Sequence, residues 1–268
     1  MDLDAILTAA RPALERATGR FADLVRSAPD LHQSISRSAW TIQQAAAHVV
    51  VGLGLYEEIA AGAPSPFHTL EREWCAAESA RRLADVPEDH PGKLTDLVTD
   101  AAGRYLEATA GRPGDHTVSY HCGERFHVAG LTCVLIGEAV LHGYDVAVAL
   151  RRPWPIDPGD ALLALAGYAP IYHLIVHPER TRGLNLAVSI DLRDGGPGLV
   201  ARFREGSFAF EAPGAGPVDA AISADPVAYL MVGAGRLDRW AAMALGQLSV
   251  GGEQPDLALA FPDFFVYP

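Results

Sequence analysis

Apolar residues recur every three to four positions through most of the first 176 residues of the chain. This spacing places them on one face of a helix, so the pattern predicts an almost wholly helical region. Helices are predicted over residues 2–27, 42–61, 68–84, 92–110, 130–150 and 158–176. Their short connections suit antiparallel neighbours, and we therefore predict a mainly α N-terminal domain, a four-helix bundle with additional helices.

The pattern changes after the segment HPERTRG at 177–183. Apolar and polar residues then alternate with a period of two, which is typical of strands with one buried face. The strands are predicted in LNLAVSIDL, GLVARF, SFAFEA and AAIS, and two short helices follow. We therefore predict two domains, a helical one over 1–178 and a smaller α+β domain over 183–268.

The predicted helix at 130–150 is the most apolar of the chain, yet it contains Glu138, His142 and Asp145. Their spacings of i, i+4 and i+7 place all three on one helix face. Burying a charge without a partner costs several kcal/mol in rough terms, so something must meet that face. A metal ion is one explanation, and an internal hydrogen-bond network is the other.

His48 is the best candidate for a further metal ligand, because it lies in the most apolar part of the predicted helix 42–61. A His–Glu–His set with an open fourth position is the ligand type of a catalytic zinc, although these ligands also suit other divalent metals. Asp145 could orient a ligand from behind. The alternative stays open at this point, since a hydrogen-bonded Glu/His pair and a core histidine would give the same pattern.

The segment TVSYHCGERFHV at 117–128 interrupts the helical pattern and predicts a short hairpin or an irregular extended excursion. Its polar face carries His121 and His127, which could line the mouth of a site. Solvated loop histidines are the favoured interpretation.

Composition narrows the class of protein. The formal net charge of −12 disfavours a nucleic-acid partner, which would need a basic face. Three cysteines without a paired spacing argue against a disulfide framework. We see neither a signal-peptide pattern nor an uninterrupted apolar run of about 18 residues, so we expect a cytoplasmic protein without a membrane partner. A single lysine, Lys93, among twenty-one basic residues suggests a GC-rich bacterial genome.

Several segments together resemble the mycothiol-dependent maleylpyruvate isomerase family. They are SAWTIQQAAAHVV, GEAVLHGYDVAVAL, ADPVAYLMVGAGRLDRW and QLSVGGEQPDLALAF. The resemblance covers nearly the whole chain. It implies a DinB-like metal-binding four-helix bundle followed by a C-terminal domain similar to sterol-carrier-protein-2 (SCP2-like) folds.

The resemblance also implies a site and a chemistry. By motif, the ligands of a divalent metal, typically zinc, would be His48, Glu138 and His142, and mycothiol would be the thiol cosubstrate. A metal-bound thiolate would add to a small electrophilic, carboxylated substrate. Rotation and re-elimination would make the enzyme an isomerase, and release of the adduct would make it an S-transferase.

In the family an arginine of the C-terminal domain holds the substrate carboxylate, and Arg236 and Arg239 are the candidates here, with surface arginines as the competing interpretation. The alternative functions are a non-catalytic carrier of an apolar ligand and a metal-binding regulatory protein. We expect a monomer or a homodimer.

Overall fold

A computed structural model of the chain describes residues 2–36, 38–193, 195–196 and 198–266. The chain divides into two compact units, Met1–Ile156 and Asp157–Pro268. The first is mainly helical, and the second combines helices with one sheet. The predicted fold class is therefore confirmed, a mainly α region followed by a smaller α+β region.

Four long helices form the bundle of the first unit. They are α1 (Leu3–Arg26), α2 (Ile42–Ala60), α4 (Pro91–Ala108) and α5 (Val128–Leu150), while the shorter α3 (Arg72–Leu83) lies beside α2. Helices α1 and α2 each pack against both α4 and α5. This closed set of contacts is the four-helix arrangement that the apolar spacing predicts.

Local sequence signals fix the start of α2, the helix that carries His48. The side chain of Thr41 accepts a hydrogen bond from the backbone N–H of Gln44, and the Gln44 side chain accepts one from the backbone N–H of Thr41. This reciprocal capping box satisfies two N–H groups that the helix itself leaves without partners. The capping box anchors the helix seven residues before His48.

Helix α5 is the core helix of the bundle. Among the described residues it is the one helix long and apolar enough to cross a membrane by length and composition. Burial accounts for that composition, because 67% of its most apolar window lies inside the protein. A short antiparallel hairpin precedes it, formed by β1 (Thr117–Ser119) and β2 (Arg125–His127).

The second unit is built on a five-stranded sheet. Its strands are β3 (Leu186–Leu192), β4 (Gly198–Arg204), β5 (Ser207–Glu211), β6 (Ala220–Ala224) and β7 (Leu248–Gly252), in the order β5-β4-β3-β6-β7. Strands β3 and β6 are parallel, and every other pair is antiparallel. The helices of this unit are α6 (Pro158–Tyr168), α7 (Pro178–Thr181), α8 (Pro226–Gly233), α9 (Arg239–Ala244) and α10 (Pro255–Leu259).

The boundary between the units differs from the predicted one. The sequence pattern placed the division at 178–183, whereas the compact units divide after Ile156, inside the proline-rich segment that precedes α6. The physical reason is that α6 packs against α8 and therefore belongs to the second unit. Helical periodicity assigns a segment to a helix, but it does not say which core the helix joins.

Candidate metal centre

Helices α2 and α5 bring the three predicted ligands together. The Nε2 atom of His48 lies 3.3 Å from Oε2 of Glu138, and the Nε2 atom of His142 lies 3.3 Å from the same oxygen. One ligand atom from each of the three residues lies within 4.8 Å of those of the other two. Among the described residues this is the one group of three or more His, Cys, Asp or Glu side chains with such geometry.

The donor set fits a divalent metal ion. Zinc binds imidazole nitrogen and carboxylate oxygen at about 2.0–2.2 Å, so two donors of one tetrahedral ion lie roughly 3.3 Å apart. The two separations to Glu138 match that value. Two neutral imidazoles and one carboxylate also leave a coordination position open, which is the pattern of catalytic rather than structural zinc sites.

Asp145 supports His142 from the opposite side of the ring. Its Oδ2 atom lies 3.5 Å from Nδ1 of His142, one helical turn along α5. A carboxylate at Nδ1 favours the tautomer in which Nε2 is free to bind a metal, as in carboxylate–histidine–zinc arrangements. This contact is consistent with the orienting role that the sequence pattern suggests for Asp145.

Trp40 covers both histidines. Its ring centroid lies 4.7 Å from that of His48 and 5.6 Å from that of His142, while the two imidazoles meet edge to face at 4.9 Å. Nothing in the sequence spacing of Trp40 indicates that it reaches two helices. Its packing restricts the ring orientations of both predicted ligands.

Electrostatics favour the protonation states that a metal needs. Burial lowers the pKa of His48 below 6.5, although its hydrogen bond to Glu138 acts in the opposite direction. Burial would raise the pKa of Glu138, but hydrogen bonds and charges from His142 and His48 together hold it well below the ordinary range. An ionised carboxylate and a neutral imidazole are the metal-binding forms.

The site is reachable from solvent within the first unit. The side chains of His48 and Glu138 are each 27% exposed, and that of His142 is 13% exposed. A fully closed donor set would suit a structural ion. Partial exposure is what an exchangeable position requires.

An aromatic cluster lies near this site. The sequence pattern does not predict this cluster. The hydroxyl groups of Tyr56 and Tyr120 are 2.9 Å apart, and the ring of Tyr120 stacks on His121 at 4.1 Å. The charge of Glu138 acts on both Tyr120 and His121. His121 was interpreted as a solvated loop residue, whereas the structure half-buries it between aromatic rings.

The two predicted substrate-binding arginines lie in the second unit. Arg239 makes its contacts within that unit, because its Nη2 donates to both carboxylate oxygens of Asp263, at 2.7 and 2.9 Å, and its Nη1 donates to the carbonyl of Leu259 at 2.6 Å. Arg236 donates to the carbonyl of Ala234 at 2.8 Å. Both guanidinium groups therefore make hydrogen bonds within the second unit.

Two other sequence features have structural explanations. Cys133 is a buried core residue, and burial alone raises the pKa of its thiol to about 12. His127 contacts the carbonyl of Asp115 at 3.2 Å through Nδ1. Neither side chain belongs to the donor set.

Comparison with known proteins gives a structural likeness without a sequence match. No family model matches the chain, and no curated protein matches it. Among solved structures, the crystal structure of the mycothiol-dependent maleylpyruvate isomerase aligns with TM-score 0.52 and 17% identity, over 89% of this chain and 91% of that one. A histidine-to-alanine mutant of that enzyme aligns with TM-score 0.52 and 16% identity, over 88% and 90%.

The chain shares the fold of that isomerase. The alignment extends over most of both units, so the fold implied by the sequence resemblance is confirmed for the chain as a whole. A ubiquinone synthesis protein, UbiJ-SCP2, also aligns, with 22% identity over 37% of this chain and 94% of its own, but a TM-score of 0.29 is too low to bear on the fold. Since a fold hosts many activities, function must be argued from the site.

Proposed function

We propose that this protein is a divalent-metal- and thiol-dependent enzyme, an isomerase or S-transferase that acts on a small electrophilic, carboxylated substrate. The observation that supports it most directly is the convergence of two imidazoles and one carboxylate, partly open to solvent, on two core helices. The shared fold of a mycothiol-dependent isomerase suggests mycothiol as the thiol. We place the reaction in the bacterial cytoplasm, where thiols are kept reduced.

The residues of the chain have separate tasks in this proposal. His48, Glu138 and His142 would hold the metal, with zinc as the expected ion. When bound, such an ion supplies positive charge that lowers the pKa of a thiol and favours its thiolate form. Asp145 fixes the ring of His142, and Trp40 packs against both imidazoles.

Of the two candidate arginines, Arg236 remains our proposed ligand for the substrate carboxylate. The ion pair of Arg239 with Asp263 gives Arg239 a structural role in the second unit. If Arg236 binds the carboxylate, Arg236→Gln should raise KM more than it lowers kcat. Arg239→Gln should instead lower the stability of the protein.

Turnover is the test of the proposal. Zinc-loaded protein should isomerise maleylpyruvate, the substrate named for the structural relative, in the presence of mycothiol and not in its absence. Removal of the metal by a chelator should abolish turnover, and added zinc should restore it. Thiol-independent turnover, or full activity after metal removal, would contradict the proposal.

A non-catalytic carrier of an apolar ligand is the alternative. The second unit contains an apolar cleft whose lining includes Tyr172, Ile222, Tyr229 and Phe261. A carrier would bind an apolar fluorescent probe such as a naphthalene sulfonate stoichiometrically, with no dependence on metal. The enzyme proposal expects no such stoichiometric binding.

A further inference from the structure

One face of α2 between His48 and Tyr56 is open. Gly52 is four residues from each, so the three positions follow one another along one side of the helix, and the outer two are about 12 Å apart along its axis. A Cβ added at Gly52 would meet no heavy atom within 4 Å. By contrast, a Cβ at Gly143 on α5 would come within 2.1 Å of the Trp154 ring.

The far end of this open face carries polar groups. Side chains on a helix lean toward its N-terminus, so the phenol of Tyr56 lies over the turn that leads back to Gly52. Its hydroxyl is hydrogen-bonded to Tyr120, which stacks on His121. Because the charge of Glu138 acts on both Tyr120 and His121, this cluster and the metal centre are electrostatic neighbours.

Ser65 holds the Nδ1 edge of His121. The Oγ atom of Ser65 accepts the backbone N–H of Phe67 at 3.1 Å and lies 2.6 Å from Nδ1 of His121. A serine oxygen has two acceptor positions and one hydrogen, so the hydroxyl can donate to Nδ1 or accept from it. When the hydroxyl donates, the one proton of the neutral imidazole is on Nε2, and that edge can donate to a ligand.

The Nε2 atom of His121 is not the nitrogen that contacts Ser65, and the residue is partly exposed to solvent. The ring is held in place by Tyr120 on one side and by Phe67, whose centroid lies 4.7 Å away. The backbone is fixed as well, because Cys122 donates to the carbonyl of Phe67 at 2.7 Å.

Charges of both signs act on His121. Burial lowers the pKa of His121 to about 4, with Glu138 acting against the shift and Arg82 adding to it. The ring is therefore neutral at physiological pH. Arg82 brings positive charge near this end of the face, where its Nε is paired with Glu78 at 2.7 Å.

We propose that the open face over Gly52 is the subsite for the body of a small carboxylated substrate, and that His121 binds a carboxylate oxygen of that substrate through Nε2–H. This inference rests on the proposed function, because it assumes that the reacting carbon lies near His48 and Glu138. It adds a substrate-binding residue from the first unit and a position that limits substrate size.

Filling the open face tests the subsite. In zinc-loaded protein, Gly52→Leu should weaken the binding of maleate, a small cis-unsaturated dicarboxylate, by about tenfold or more, because the leucine side chain occupies its space. Gly54→Leu is the matched control, since Gly54 is equally open but faces another side of α2. Calorimetry measures the affinity for maleate, and zinc content should be unchanged in both variants.

Two substitutions of His121 separate a binding role from a structural one. An asparagine amide reproduces the position of Nδ1 and can keep the Ser65 contact, whereas a glutamine amide reproduces the position of Nε2. We expect His121→Asn to weaken maleate binding by about tenfold, the usual worth of one hydrogen bond to a charged group. His121→Gln should stay within about threefold of the wild type. A structural role would give the reverse order.

The readouts distinguish this inference from the proposed function. Unchanged maleate affinity in Gly52→Leu and His121→Asn, or no maleate binding by the wild type, would overturn the subsite even if the enzyme turns over maleylpyruvate. The expected binding pattern without thiol-dependent turnover would support the subsite and count against the isomerase or transferase proposal alone. Equal losses in Gly52→Leu and Gly54→Leu would also overturn the subsite, since the effect would then be on the helix.

Discussion

His142 is constrained at both of its ring nitrogens. Its Nε2 faces Glu138 at 3.3 Å, and its Nδ1 faces Asp145 at 3.5 Å. A metal ligand held in this way needs no ring rotation or tautomer change before it binds. Asp145 therefore acts on metal affinity through His142 rather than by direct contact.

Replacing Asp145 should weaken the site without removing a ligand. We expect Asp145→Asn to lower zinc affinity by about 10–100-fold, the range typical for partners of metal-bound histidines. Competition with a chromophoric chelator measures the affinity. Asp100→Asn, at an exposed position on α4, is the control and should leave zinc affinity unchanged. Equal affinity in the two variants would mean that Asp145 does not support His142.

The pKa of His121 predicts a pH dependence of stability. Burial lowers this pKa to about 4, while the unfolded imidazole titrates near 6.5. Between these values the unfolded chain binds a proton that the folded chain does not. The contribution is therefore fully present above pH 6.5 and is lost as pH falls to 4. Because the ring is partly exposed, we expect a loss of about 1–3 kcal/mol.

Urea unfolding of metal-free protein at pH 7, 5.5 and 4.5 measures this loss. The free energy of unfolding of His121→Asn should fall less over that range than that of the wild type. His32→Asn, at an exposed position, should follow the wild type. Parallel curves for wild type and His121→Asn would show that His121 does not titrate as described.

At the residue level, sequence spacing could predict the donors but not their surroundings. Glu138 and His142 are four apart on one helix, and His48 is the one ionisable group in its apolar segment, so periodicity alone points to them. His121 and Trp40 reach the site only through tertiary packing of a hairpin tip and a loop. Nothing in their local pattern distinguishes them from surface residues.

Among the elements, α5 depends on a close contact that glycine alone permits. The Trp154 ring lies against Gly143, next to His142, and its Nε1 donates to the carbonyl of Val140 at 3.0 Å. An indole packed on bare helix backbone fixes the segment after α5. It also sets the environment of the neighbouring ligand.

A methyl group at this contact should therefore destabilise the protein. Gly143→Ala improves helix propensity, yet its Cβ would lie 2.1 Å from the Trp154 ring. We expect a net loss of about 1–3 kcal/mol in the free energy of unfolding, as is usual for overpacking. Gly103→Ala, exposed and without near neighbours on α4, should be stabilising by up to about 1 kcal/mol. Chemical denaturation compares them, and a stabilising Gly143→Ala would contradict the contact.

Elements with a long stretch of regular apolar spacing could be predicted from the sequence, and short elements were harder to predict. The long bundle helices and strands β3 to β6 follow from periodicity. Helix α6 ends at Tyr168 rather than near 176, because Pro170 removes a backbone donor and the chain continues as a 3₁₀ turn. Strand β7 was not predicted, since its five residues include Gly251 and Gly252 and resemble a loop.

At the scale of the whole molecule, all the proposed metal ligands lie in one compact unit. His48, Glu138 and His142 fall within Met1–Ile156, and so does Asp145, which contacts His142. Metal binding should therefore be a property of that unit. Turnover should require the full chain if Arg236 binds the substrate.

Truncation tests this division and the position of the boundary. A fragment of residues 1–156 should bind one zinc ion with an affinity near that of the full chain, and it should lack turnover. A fragment of residues 1–178, ended at the boundary that the sequence predicted, should aggregate more, because it exposes the face of α6 that packs against α8. Light scattering and zinc titration report the two properties, and a well-behaved 1–178 fragment with an aggregated 1–156 fragment would favour the later boundary.

The most direct test of the account is the metal stoichiometry of purified protein, measured by atomic spectrometry beside a circular-dichroism check of folding. We expect one divalent ion per chain in the wild type and in His68→Ala, an exposed histidine outside the donor set. We expect less than about a tenth of an ion in folded His48→Ala and Glu138→Gln, since each substitution removes one of the three proposed protein ligands. Stoichiometric metal that persists unchanged in folded His48→Ala would contradict the site on which the proposed function rests.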